Sequence, residues 1–232
     1  MNNREVRSVR VGILDSGWTA RVPDARVVHG RGFVMHDDPF RVAYSLDHTD
    51  RIGHGTSCSR VILEIAESAL VTPLRVFGSR LETSPAVLLA ALDWCLTQRF
   101  DVLNLSLSTD REDSRDSLYV ACESLRRAGT TIVAAARNGF DDGYPAVFDN
   151  VLGVTMLGSA SGVASSASTR LDFTVKSEWV RATAAVDMPL RGARSSFAAA
   201  FVSGHAARVL ADIGPLELDE VRERLRDAFA QL

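Results

Sequence analysis

The sequence predicts an α/β fold: one domain over residues 1–232, with a mostly parallel sheet and helices on both of its faces. Three observations predict it. Short aliphatic, often β-branched runs alternate with longer segments of helical period along most of the chain. The strand-like runs are apolar almost throughout, as strands covered on both faces must be. No linker, internal repeat or low-complexity tract interrupts the alternation, so no domain boundary is expected.

The elements follow in order. Strands are expected over 9–15, 70–77, 101–108, 130–136 and 151–157, and helices over 54–68, 85–98, 114–127, 196–212 and 218–229. The second helix opens on Thr83, Ser84 and Pro85, a cap followed by a first-turn proline. The last is rich in Glu and Arg. Between 159 and 194 small polar residues dominate, and the short runs at 172–175 and 179–185 are expected as edge strands among surface loops.

Composition narrows the partners. A chain that is 46% hydrophobic and 24% charged can build one large core. A net charge of −3 with no block of like charge offers nothing to a phosphate backbone, so nucleic acid is not expected as a partner. No apolar run reaches membrane-spanning length, and residues 1–17 lack the pattern of a secretory signal. Cys58, Cys95 and Cys122 are odd in number and without framework spacing, as where thiols stay reduced. A cytoplasmic protein is expected; the oligomeric state is not indicated.

Four segments carry chemistry. Val11 to Gly17 is a strand closing on Asp15-Ser16-Gly17; parallel sheets place sites at the carboxyl ends of strands, although a turn would use the same residues. His54, between Gly53 and Gly55, opens a helix, which fixes the imidazole, while the glycines let other backbone come close. The strand 132–137 ends at Asn138, a neutral amide suited to developing negative charge or, as Asn-Gly, to a turn. Ser196 begins a helix of very small residues, either as a nucleophile at the positive end of the helix dipole or as a cap.

Taken in chain order, Asp15, His54, Asn138 and Ser196 resemble the subtilisin-like serine peptidases, whose triad runs Asp, His, Ser. Asp15-Ser16-Gly17 and His54-Gly55-Thr56 match that family's first two motifs. In the serine block Ser196, Ala198, Val202 and Gly204 keep their places, which makes Ser196 the nucleophile instead of Ser195. The stretch 101–107 resembles the strand that pairs with substrate, and Tyr144-Pro145-Ala146 a further familiar piece. The resemblance implies hydrolysis of a peptide or protein substrate by Asp15, His54 and Ser196, an oxyanion bound by Asn138, and substrate contacts from Leu105, Ser106, Leu107, Ser108, Thr109, Ala136 and Arg137. No cofactor is implied. Residues 64–71 are too short for the family's calcium loop, and Asp15 lies close to the start, so neither that metal site nor a propeptide is expected.

Departures from the pattern bear on specificity. Arg194, Arg137 and Ser108-Thr109 stand where glycines are usual, and Ala200 replaces the helix proline. Arg137 is expected either to turn outward and leave a slot for small residues, or to bind an acidic substrate side chain. The alternative function is a pseudo-protease whose cleft these residues close, acting as a binding or regulatory module. A nucleotide-binding domain is the third reading, weakened because no glycine-rich phosphate loop follows the first strand.

Overall fold

In the computed structural model, which describes residues 7–19, 21, 23–36, 41–157, 171–183 and 195–232, the strand-like runs form one eight-stranded sheet. Its order is β3-β2-β4-β1-β5-β6-β7-β8, with β1 Val9–Asp15, β2 Arg31–Met35, β3 Val42–Ser45, β4 Ala69–Arg75, β5 Val102–Leu105, β6 Thr131–Ala135, β7 Leu152–Met156 and β8 Phe173–Val175. All neighbours pair in parallel except β2 and β3. The order reverses about β1, which lies between β4 and β5, so a crevice opens at the carboxyl ends of β1 and β5.

Alternation along the strands divides the core. Val9, Val11 and Ile13 face α1 (His54–Ile65), α5 (Ser195–Ile213) and α6 (Leu218–Phe229), while Leu14, Leu103 and Leu105 face α2 (Pro85–Gln98) and α3 (Arg115–Arg127). Helix α5 is buried at every position from Ser195 to Ala207, which is why its residues there are mostly small or apolar on every side. Its small residues let it lie close: a Cβ on Gly204 would stand 2.9 Å from Ile65 Cβ of α1. Among the described residues no helix is long and apolar enough to cross a membrane.

The expected strands and helices form, several of them shortened at their ends. Pro73 sits inside β4 because its missing donor costs little there. Val71 N–H turns to Arg26 O, Pro73 turns the same way, and pairing with β2 begins only at Leu74. Helix α2 starts as expected, with Ser84 Oγ accepting from Val87 N–H and Pro85 in the first turn. The β2–β3 hairpin was not expected from sequence.

One expectation is corrected. Phe173–Val175 does form the edge strand β8, but Trp179 to Thr183 belong to a helix, α4 (Ser177–Thr183). Burial of Val180 and stacking of Trp179 on Phe201 of α5, 6.4 Å between ring centres, select the helical form over an extended one. Arg194 lies outside the described residues, as do 158–170 and 184–193.

Candidate active site

Asp15 ends β1, fully buried, and His54 opens α1 opposite it. The imidazole Nδ1 lies 2.8 Å from Asp15 Oδ1 and 2.9 Å from Oδ2. Local backbone explains the fit. Gly17 takes φ +103° where its chain passes His48 O, and a Cβ on Gly55 would stand 2.5 Å from Gly17 O. Gly55 N–H donates to Ser16 Oγ at 2.8 Å, so the glycine after the histidine admits the very segment that carries the aspartate. Gly53 serves differently, by taking φ +89° at the helix start.

A residue not singled out in the sequence fixes this helix. Buried Asp50 accepts from Ile52 and Gly53 N–H on one carboxylate oxygen, at 2.9 and 2.7 Å. Its other oxygen accepts from Thr56 N–H and Oγ1, at 2.8 and 2.7 Å. Thr56 Oγ1 in turn accepts from Thr19 N–H at 3.1 Å, on the segment that follows Asp15. Burial works to raise the Asp50 carboxyl, but the hydrogen bonds from Thr56, Gly53 and Ile52 outweigh it and hold its pKa below the usual carboxylate range. An Asp four residues ahead of a helix-opening histidine is the sequence signal that could have found it.

Burial also works against a charged His54; the Cys58 sulfur and the Asp15 carboxylate outweigh it, so the imidazole pKa is raised above its ordinary value. Burial pushes the Cys58 thiol up, which leaves it neutral at neutral pH and Asp15 as the cause that persists there.

Ser196 lies at the start of α5 and lines the same cleft as His54, a space of about 770 Å³. Ser195 does not line it and is fully buried. The Ser196 hydroxyl donates to Ser106 O at 3.2 Å, while His54 Nε2 has no hydrogen-bond partner among the described residues. Asn138 follows β6, and its Oδ1 accepts from Ser195 N–H at 3.1 Å. That bond ties the amide oxygen of Asn138 to the first turn of α5.

Beneath the serine runs a buried polar chain that spacing alone does not reveal. Ser203 Oγ donates to Asn104 Oδ1 at 3.0 Å, and Asn104 Nδ2 donates to Ser106 Oγ at 2.8 Å. Ser106 Oγ lies 3.3 Å from Ser196 O and 3.6 Å from Cys58 Sγ.

Of the expected substrate contacts, Ser106, Leu107, Ser108, Thr109, Ala136 and Arg137 line the cleft. Leu105 does not: as the last residue of β5 it is still paired to β1 and β6, and alternation along the strand buries its side chain in the core against α2 and α3. Arg137 is ion-paired with Asp142 and Asp110 within the protein. Asp15, His54 and Cys58 are the group of ligand-type side chains that comes together among the described residues, within 4.8 Å of one another. Asp15 and His54 Nδ1 already bond each other there. Only residues 66–68 separate α1 from β4.

A buried Asp–His pair that shares a cleft with a serine at a helix start, on a mostly parallel α/β sheet, defines a serine hydrolase site of the subtilisin kind. The chain belongs to the subtilase family, peptidase S8, which it matches over residues 7–231, and it is a subtilisin-like serine endopeptidase. It is 27% identical over 244 residues to subtilisin DY of Bacillus licheniformis, covering 97% of this chain and 85% of that one. Its fold is similar to that of a cold-adapted subtilisin-like serine proteinase, with a TM-score of 0.74 at 20% identity over 95% of this chain and 82% of that one. It is also similar to a lanthipeptide protease, with a TM-score of 0.69 at 20% identity over 94% and 79%.

Proposed function

We propose that this protein is a narrow-specificity peptidase acting in peptide or protein maturation, with Ser196 as nucleophile, His54 as general base and acid, Asp15 as the group that orients the imidazole, and Asn138 as oxyanion donor. The observation that carries the assignment is the His54 Nδ1 to Asp15 contact at 2.8 Å on the cleft that Ser196 lines.

In this scheme the hydroxyl of Ser196 leaves Ser106 O, turns to His54 Nε2 and attacks the peptide carbonyl, its proton passing to Nε2. Asp15 stabilises the imidazolium through Nδ1. The oxyanion is bound by the Asn138 amide nitrogen and by Ser196 N–H. The proton then goes to the leaving amine, and water, deprotonated by His54, releases the acyl group.

The cleft is lined by Arg137 and Ser108-Thr109, side chains larger than the glycines usual there, and this supports narrow specificity. The fold shared with a lanthipeptide protease is in keeping with peptide maturation. A cytoplasmic location belongs to the same proposal and is supported by three buried, unpaired cysteines.

A fluorophosphonate probe tests the site. Wild type and Ser195→Ala should be labelled, and Ser196→Ala should not. Labelling of Ser196→Ala, or its loss in Ser195→Ala alone, would put the nucleophile one residue away. An unlabelled wild type would favour the binding-module reading.

A further inference from the structure

The two loops that wall the cleft beside Ser196 are tied together by charged groups that the triad chemistry does not use. One wall follows β5 and carries Ser108, Thr109 and Asp110; the other follows β6 and carries Arg137 and Asn138. Arg137 grips Asp142 at two points, Nε to Oδ1 at 2.9 Å and Nη2 to Oδ2 at 3.0 Å. Its third nitrogen, Nη1, reaches Asp110 Oδ2 on the opposite wall. The guanidinium also lies 4.2 Å from the centre of the Phe140 ring, and Arg137 N–H donates to Asp142 O at 2.8 Å.

Exposed ion pairs are usually weak, but a planar fork engaged at all three nitrogens and stacked on a ring is the arrangement that holds. The backbone adds a second tie, since Thr109 and Tyr144 exchange N–H···O bonds at 2.9 and 2.7 Å. Between the walls lies Gly143 at φ +101°, where a Cβ would stand 3.2 Å from Ser108 Cβ and 3.3 Å from Arg137 Cβ. The backbone of Gly143 therefore packs against the roots of both side chains, with little room between them even for a methyl group.

We infer that Arg137, clamped by Asp142 and Asp110, is a positioning and specificity-determining residue that joins the two walls, steadies the loop presenting Asn138, and restricts the residue preceding the scissile bond to glycine, alanine or serine. The inference rests on the peptidase reading above. A large apolar side chain would have to part Ser108 from Arg137. An acidic one would bring a third carboxylate to a guanidinium that already holds two.

The test profiles cleavage of a peptide library by the full chain as wild type, Arg137→Gly, Arg137→Lys and Asp110→Asn, with melting temperatures measured and active sites counted by fluorophosphonate titration. Wild type should cleave after Gly, Ala or Ser about tenfold or more better than after Phe or Leu. Arg137→Gly should gain about tenfold on Phe and Leu relative to small residues, and lose kcat more than KM on small-residue substrates as Asn138 loosens. Arg137→Lys keeps the charge without the fork and should behave like Arg137→Gly. Asp110 is exposed, so Asp110→Asn should fold and shift the profile part of the way.

A wild type that prefers Phe, Leu, Asp or Glu overturns the inference, as does a wild-type profile and kcat in Arg137→Lys or a wild-type profile in folded Asp110→Asn. An unlabelled wild type overturns instead the peptidase reading beneath it, a result that no shift of profile can imitate.

Discussion

Removing the Asp50 carboxylate tests whether the histidine is held by its helix. Asp50 accepts four hydrogen bonds, from Ile52, Gly53 and both donors of Thr56, at 2.7 to 2.9 Å. Bonds to a charged acceptor are worth about 1.5 to 3 kcal/mol each and do not add when they share one group, while loss of a helix cap costs about 0.5 to 2 kcal/mol. Asp50→Ala should therefore destabilise by about 3 kcal/mol, within a range of roughly 2 to 4. For a chain of this size the melting temperature should fall by roughly 6 to 12 °C. His54 is the first residue of α1, so its misplacement should also lower kcat by about tenfold or more. The pH dependence carries a sign. A depressed carboxyl pKa contributes stability that is present above the unfolded value, about 3.9, and is lost as pH falls through the folded one. The gap in melting temperature between wild type and Asp50→Ala should hold steady from pH 8 to 5 and narrow below 4. An alanine variant that melts within about 2 °C of wild type and keeps its kcat would refute the reasoning.

Two further outcomes concern the site itself. Asn138→Leu should lower kcat by about 100- to 1,000-fold with little change in KM, the magnitude already known from subtilisin; unchanged turnover would leave Asn138 a turn residue. The neutral imidazole of His54 is the base, and its pKa is raised, so kcat/KM should fall as pH drops, with a midpoint above the ordinary histidine value of about 6.5. A midpoint at or below that value would remove Asp15 as its stabilising partner. By the same shift, the stability His54 lends the fold is complete below about pH 6.5 and declines as pH rises through the folded pKa.

How much was legible depended on how local the cause was. Helix α2 could be read to its first residue because Ser84 and Pro85 act within one turn, and β1 because an aliphatic run closing on Asp15 is a strand in almost any setting. The β2–β3 hairpin could not, since it lies toward the sheet edge and Gly32 and Phe33 are its only buried positions. Helix α4 failed as an expected strand because Trp179 and Val180 take their form from α5. The proposed triad could be suggested from sequence because Asp15 ends a strand, His54 begins a helix and Ser196 lies in the first turn of another. Asp50, Asn104 and Ser203 were not, because their roles exist only through partners brought together by the fold. Arg137 showed as a departure in the sequence, but its two carboxylate partners did not.

The resting position of Ser196 is consistent with a working triad once magnitudes are compared. Its hydroxyl donates to Ser106 O and must exchange that bond for one to His54 Nε2. A neutral hydrogen bond is worth about 0.5 to 1.5 kcal/mol net, so forfeiting it entirely would cost about tenfold in rate. Loss of the nucleophile itself costs about a million-fold in subtilisin, so the exchange is minor beside the chemistry. What must not move is the backbone of Ser196, whose N–H is the second of the proposed oxyanion donors. Ser106 Oγ stands 3.3 Å from its carbonyl and is held by Asn104, which is held by Ser203 on the same helix. The hydroxyl turns about one bond while the helix start stays fixed by groups from β5 and α5. That division of labour explains why so many buried polar atoms gather under a single serine.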